Sequence, residues 1–207
     1  AKRGWQVTVM DPHPPASGGS GNLAGVVYAT PSPHLQAQNR FYLGALIRAL
    51  VWFGHLNFPS SPAEGRLSDV WLHLVQSRRQ KNAIQAHQTG AWPSALLQVV
   101  EDNLVTLKGA GYIQPARWIE RLLSHDNIDY RATALQSLEP SAIHSEVTKN
   151  ADAIVLATAE ASLEWPGLEA LPLKAIRGQV TEIKATDESM TWTQARCHAG
   201  YLTPAIE

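Results

Sequence analysis

VTVMDPHPPASGGSGNLAG, residues 7–25, is the stretch whose reading decides the fold. Val7-Thr8-Val9-Met10 is a short apolar run suited to a strand, and it ends on a single acid, Asp11. A proline-rich turn follows, then a loop carrying Gly18, Gly19, Gly21 and Gly25 among Ser17, Ser20 and Asn22. A strand that ends on a carboxylate is what a dinucleotide fold uses to hold a ribose through its hydroxyls. A Gly/Ser/Asn loop lets backbone N–H groups come close to a phosphate or a flat ring. Strands also end on acids for turn reasons, and glycine loops also serve as plain turns. The residues alone leave a structural turn and a ligand loop level.

Working outward, the composition narrows the class. With 207 residues, 44% of them hydrophobic, the chain can bury one good core or two small lobes. Lys+Arg 17 against Asp+Glu 18 gives a net charge of −1, which argues against a nucleic-acid-binding surface spread over the whole chain but leaves room for a local basic patch. The single Cys197 excludes an internal disulfide and a thiolate metal cluster. No apolar run reaches the length of a membrane span and no signal peptide is visible, so a cytoplasmic protein with no membrane partner is expected. The eight histidines are scattered, with no HxH or HExxH arrangement, and no metal is expected. GxSxG and GxxxxGK[ST] are both absent. Cys197 beside His198 suggests a thiol mechanism, although a lone small Cys on a strand more often packs than reacts.

Along the chain, Pro31 and Pro33 make a stiff connector before a helix over 37–53, on which Leu43, Leu46, Ile47 and Leu50 share a face. Residues 57–65 read as a loop, 69–75 as a strand, and 77–87 as polar, its basic run Arg78, Arg79 and Lys81 being a solvated helix face. Trp92-Pro93 opens a short helical piece through Val100, and 104–107 is a strand. A glycine turn at 109–111 precedes a helix that starts on Pro115, with Trp118, Ile119, Leu122 and Leu123 as its core stripe. Residues 128–138 and 142–147 read as strands, and 153–157, AIVLA, as a parallel strand covered on both faces. Further strands are expected over 173–183 and 191–203. This order makes the fold α/β (α+β), a βαβ-type layer plus an antiparallel sheet; the family resemblance given below implies that these are a Rossmann-like FAD/NAD(P)-binding layer and an antiparallel-sheet substrate domain. The expected division is 1–54 with 140–170 for the cofactor layer and 55–139 with 171–207 for the substrate or cap region. The chain opens on what reads as a helix end, lacks GxGxxG before its first strand, and stops after an extended segment, so truncation at both ends is expected.

Three further positions carry possible chemistry. Thr158 follows the apolar run at the end of a strand, where open α/β sheets bind ligands; a simple strand exit is the plain alternative. Arg177, in Arg177-Gly178-Gln179, is a cation on an otherwise apolar strand, free to pair with a substrate carboxylate or with a structural acid. Tyr201, after Gly200, offers an aromatic hydroxyl beside a glycine, good for lining a planar ring.

Taken in order, these stretches resemble the FAD-dependent D-amino-acid-oxidase-like family. Within it they are most similar to the C-terminal oxidase domain of bifunctional tRNA wobble-uridine biosynthesis proteins. The motifs are Arg3-Gly4-Trp5, Gly18-Gly19-Ser20-Gly21-Asn22-Leu23-Ala24-Gly25, Pro31-Ser32-Pro33-His34, Gly109-Ala110-Gly111-Tyr112-Ile113-Gln114-Pro115, Arg177-Gly178-Gln179-Val180 and Gly200-Tyr201-Leu202-Thr203-Pro204. The resemblance implies that Asp11 binds the adenosine ribose of FAD, that Ser20, Gly21 and Asn22 lie against its pyrophosphate or ring, and that Thr158, Gly178 and Gln179 also contact the cofactor. It implies catalytic positions at Arg177 and Tyr201. The implied reaction removes the carboxymethyl group from carboxymethylaminomethyl-2-thiouridine at the tRNA wobble position, with tRNA presented through a neighbouring methyltransferase domain. A glycine- or sarcosine-oxidase-like amine oxidase and a non-catalytic remnant of the same fold are the alternatives. The chain departs from the family at Thr158-Ala159, where Asn-Gly is usual, and at Ala110-Gly111, where a glycine pair is usual.

Overall fold

The computed structural model describes residues 1, 3–73, 78–101, 104–134, 151–165, 167–198 and 200–206. The chain divides into two compact units, Ala1–Gly19 with Leu123–Thr181, and Ser20–Leu122 with Glu182–Glu207. The second unit holds most of the regular structure.

Its centre is a five-stranded sheet made of β4 (Asp69–His73), β5 (Leu97–Glu101), β6 (Leu104–Lys108), β9 (Ala195–Cys197) and β10 (Tyr201–Leu202), ordered β10-β9-β4-β6-β5. Every pairing is antiparallel except β4 with β9. The period-two rule assigns the faces. Val70, Leu72, Leu97, Val105, Leu107, Ala195 and Cys197 are buried on one face and form the main core with Leu46, Ala83 and Ala86. The register then fixes a cross-sheet row on the opposite face: Gln98, Thr106, Trp71, Arg196, Leu202.

Helix α1 (Ala37–Leu56) covers the core face with a stripe of Leu43, Leu46 and Leu50 that ends in Phe53. Ile47, expected on that stripe, is instead exposed. The helix stops at Asn57, whose φ of 49° is a left-handed cap that asparagine tolerates. Helix α2 (Arg78–Gln88) meets the sheet through Ala83 and Ala86 and leaves Arg78 and Lys81 exposed, as expected of a solvated face.

A second sheet, β2 (Gly25–Val27), β7 (Gly111–Ile113) and β3 (Gly65–Arg66), is antiparallel throughout. Helix α3 (Pro115–Leu123) follows it. Its Trp118 stands 4.9 Å from Phe53 and 4.6 Å from Phe58, making a small aromatic core. Leu122 of the expected stripe is exposed.

In the first unit, β1 (Val7–Asp11) pairs in parallel with β8 (Ile128–Ala132), Asp11 opposite Ala132. The parallel layer of this unit is that pair among the described residues. Four expectations change. Residues 93–96 form a single turn, with Leu96 N–H donating to Pro93 O, and the helical piece expected there gives way to β5. Leu97 and Val99 alternate with polar Gln98 and complete a ladder with β6, the next strand in the chain, and this pairing overrides the local helix signal. The run 153–157 is irregular and its Val155 is 85% exposed, so no buried parallel strand forms. Residues 173–183 are likewise irregular and exposed. Both segments have strand-like composition, but among the described residues no strand lies beside them, and an unpaired strand gains no ladder. The expected strand 191–203 becomes the two short strands β9 and β10, preceded by α4 (Asp187–Met190), which Thr186 caps through a reciprocal capping box with Ser189. The expected strand over 142–147 lies outside the described residues.

Candidate functional site

Within the first unit, Asp11 ends β1 at the carboxyl edge of the parallel pair and is exposed. Its Oδ1 accepts the His13 N–H at 2.9 Å, which closes a side-chain turn over Pro12. The Tyr130 hydroxyl donates to the backbone oxygens of both Asp11, at 3.3 Å, and His13, clamping the turn to β8. Partial desolvation and the nearby Asp11 charge push the Tyr130 hydroxyl above its ordinary pKa. The structural role weighed from the sequence is therefore real. A carboxylate has acceptor capacity beyond one N–H, so a ligand role stays compatible with it.

Thr158, in the same unit, is half-buried and its hydroxyl shares a 2.7 Å hydrogen bond with Ser162. It precedes a 3-10 turn over Ala159–Glu164, and Ala159 takes a left-handed φ of 48°. Arg177, Gly178 and Gln179 lie in the exposed irregular segment, and no atom comes within 4 Å of a Cβ placed on Gly178. These three do not sit on a strand, contrary to expectation, because nothing pairs with them among the described residues.

In the second unit, Ser20 and Gly21 belong to a 3-10 turn, Gly19–Gly21, and Asn22 follows it, all of them exposed. Tyr201 opens β10 and is 40% exposed. It lines a cavity of about 420 Å³ together with Trp192, Arg196, Cys197, His198, Gly200 and Leu202. That volume falls in the range of small-molecule sites. The sequence candidates are thus divided: Asp11, Thr158, Arg177, Gly178 and Gln179 in one unit, Ser20, Gly21, Asn22 and Tyr201 in the other.

Sequence reasoning missed Arg196. Its guanidinium carbon stands 3.8 Å from the Trp192 ring centroid and 5.5 Å from that of Trp71. Such contacts are cation–π attractions. Its Nε is buried without a hydrogen-bond partner, and among the described residues no carboxylate pairs with it. The signal in the sequence is one cation alternating with two small residues, Ala195 and Cys197, which are buried on the other face. Cys197, by contrast, is buried on the core face, which fits packing better than nucleophilic chemistry. No group of three or more His, Cys, Asp or Glu that could hold a metal occurs among the described residues, and none of the described helices is long and apolar enough to cross a membrane.

No family model matches the chain. Curated relatives do. The tRNA 5-methylaminomethyl-2-thiouridine biosynthesis bifunctional protein MnmC of Chromohalobacter salexigens is 27% identical across the whole chain, which covers 32% of that protein. The proteins of the same name from Chromobacterium violaceum and Pseudomonas putida KT2440 are each 30% identical over 99% and 100% of the chain, which covers 34% of each. The chain therefore spans about a third of the length of the curated relatives it matches. Over its whole length it is homologous to one part of the MnmC bifunctional proteins, and this is the resemblance that its motifs carry.

Proposed function

We propose that this chain is an FAD-dependent oxidoreductase domain that removes the carboxymethyl group from carboxymethylaminomethyl-2-thiouridine at the wobble position of tRNA. The observation that carries the reading is the end-to-end homology to proteins named for 5-methylaminomethyl-2-thiouridine biosynthesis. The substrate in this reading is a secondary amine. Loss of a hydride from the carbon next to nitrogen, with the N–H proton, leaves an imine. Water then splits the imine into the aminomethyl nucleoside and an aldehyde acid.

Bound FAD would supply the two-electron acceptor for that step, and oxygen its reoxidation. The residues present fit parts of such a group. The Asp11 carboxylate is exposed at the carboxyl end of a parallel strand and keeps acceptor sites for ribose hydroxyls. The turn carrying Gly18 and Gly19 leaves open space where side chains would stand, as a backbone cradle for a phosphate needs. In this reading Asp11, Ser20, Gly21 and Asn22 hold the cofactor, with Thr158, Gly178 and Gln179 beside it. Tyr201 orients the substrate from the wall of its cavity, and Arg177 acts at the reacting end. The tRNA is delivered by a neighbouring methyltransferase domain, which compensates for the near-neutral charge of this chain.

Two measurements test this. The chain purified in the presence of FAD should retain visible flavin absorbance, and Asp11→Ala should lower that retention. Flavin-loaded protein should convert the carboxymethylaminomethyl nucleoside in tRNA to its aminomethyl form. Failure to bind flavin removes the reading. Turnover of glycine or sarcosine without turnover of tRNA replaces it with a small-amine oxidase.

A further inference from the structure

We propose that the outer face of α1 is an RNA-docking surface, and that it holds unstacked nucleotides of the tRNA anticodon loop. The proposal rests on the function proposed above for the identity of the RNA, and on the sequence and structure for the surface.

Geometry comes first. Phe41, Ala45, Arg48, Trp52 and His55 follow one another at alternating spacings of four and three residues. That rhythm puts them in one line along a helix, about 21 Å from end to end. The line runs opposite the stripe of Leu43, Leu46, Leu50 and Phe53 that faces the core. Its rings are open to solvent: Phe41 is 70% exposed and Trp52 38%, with Tyr42 beside Phe41 at 51%. The Arg48 guanidinium stands 6.0 Å from the Trp52 ring centroid, and the rings of Phe41 and Tyr42 meet edge to face at 5.7 Å.

Charge comes second. Residues 12–63 contain neither Asp nor Glu, in a chain with Lys+Arg 17 and Asp+Glu 18. Helix α1 lies wholly inside that stretch and carries Arg40 and Arg48, both exposed. Neither pairs with a carboxylate among the described residues. Two acids just beyond the stretch, on the loop before β3 and on α3, are engaged: Glu64 with Ser60 and Arg121, Glu120 with Arg117. The carbonyl end of a helix repels an anion, but here Arg121 donates to the Leu56 and Asn57 carbonyls and covers that end. The face therefore presents cations and rings with no acid on its helix, which suits a polyanion.

The choice of partner comes third. Single-stranded RNA loops are recognised by stacking their splayed bases on aromatic rings and guanidinium planes, while cations take the phosphates. The wobble base belongs to such a loop. A second copy of the chain fits the face less well. The line is centred on Arg48, so a two-fold pairing of two α1 helices would set Arg48 against Arg48. An apolar helix from another protein would bury Arg48 in mid-interface without a counter-charge.

The test uses the full chain and a labelled anticodon stem–loop RNA, read by fluorescence anisotropy over a range of salt. Wild type should bind the stem–loop about tenfold or more tighter than a fully paired RNA of the same length. Phe41→Ala removes a ring and no charge, so it should weaken binding about tenfold and leave the salt slope unchanged. Arg48→Gln should weaken binding about threefold or more and lower the slope of log K against log salt by about 0.7, and Arg48→Lys should restore that slope. Both side chains are exposed, so the variants should fold. Absence of stem–loop binding by wild type, equal affinity for the paired RNA, or unchanged affinity in either folded Phe41→Ala or Arg48→Gln overturns the proposal. A wild-type dimer that Phe41→Ala splits without loss of RNA affinity assigns the face to a second copy instead. Flavin retention and turnover of the free nucleoside, read on the same samples, separate the two ideas. RNA binding that depends on Phe41 and Arg48 in a protein that takes up no flavin removes the oxidase and leaves the docking face; flavin uptake and nucleoside turnover with RNA affinity unchanged in the variants does the reverse.

Discussion

A Cβ added to Gly111 would stand 2.0 Å from the carbonyl oxygen of Arg66, across the β3–β7 pair. The close approach is reciprocal: on Gly65, at a φ of 131°, a Cβ would meet the Tyr112 carbonyl oxygen at 2.4 Å. Backbone stands in the way in both cases and cannot swing aside as a flexible side chain could. Gly111→Ala should therefore destabilise the protein by about 1–3 kcal/mol, the cost of overpacking. Gly18→Ala, with nothing within 4 Å, should change stability by no more than about 0.5 kcal/mol. Urea unfolding curves for the two variants would show the contrast. Equal midpoints would mean that β3 shifts away from β7 at little cost.

Ala159 offers the opposite case. Its φ of 48° puts an L-residue in the left-handed region, at a cost of roughly 1–2 kcal/mol. Glycine relieves that strain but gives back part of the gain as unfolded-state entropy. Ala159→Gly should be stabilising by about 0.5 kcal/mol, whereas Ala161→Gly, in the same turn at an ordinary φ, should destabilise by roughly 0.5–1 kcal/mol. Thermal melts of the pair would settle the sign, and destabilisation by both changes would reject the strain argument.

Glu64 makes the stability pH-dependent. Its carboxylate accepts the Ser60 hydroxyl at 2.7 Å and the Ser60 N–H at 2.6 Å, and the Arg121 guanidinium lies 3.5 Å away. The Ser60 hydrogen bonds, then the Arg121 charge, hold the Glu64 pKa below its ordinary value of 4.5. A lowered folded-state pKa contributes stability that is present above the unfolded value and lost as pH falls through the folded one. Wild type should exceed Glu64→Gln by on the order of 1 kcal/mol near neutrality, and the gap should close as pH drops below 4.5. A gap that persists well below that value would assign the loss to packing.

Cys197 is 4% exposed, on the core face of β9. A thiol held there should react with a bulky disulfide reagent only as fast as the sheet opens. Folded protein should resist labelling and urea-unfolded protein should label at once. Fast labelling of the folded state would reopen the thiol mechanism suggested by the Cys197-His198 pair.

The sequence by itself determined features whose physics is local. The spacing of Leu43, Leu46 and Leu50 sets the buried stripe of α1, and the glycine turn precedes Pro115 at the start of α3. In each, the periodicity or the backbone preference acts within a few residues and survives whatever the rest of the chain does. The order of the motifs along the chain was equally legible, and the homology to MnmC proteins agrees with it.

Tertiary structure alone decided what depends on a partner. Residues 153–157 and 173–183 have strand composition, but a strand exists only as one side of a ladder, and their φ, ψ preference does not supply the other side. Leu97 joined β5 for the converse reason, because β6 lay alongside to pair with it. Arg196 shows the same dependence at the candidate site. Trp192 is four residues away and legible, but Trp71 is reached only through the parallel register of β9 on β4, which joins positions far apart in the chain. Whether a cation is solvated, paired or held between rings is a property of that register and not of its neighbours in sequence.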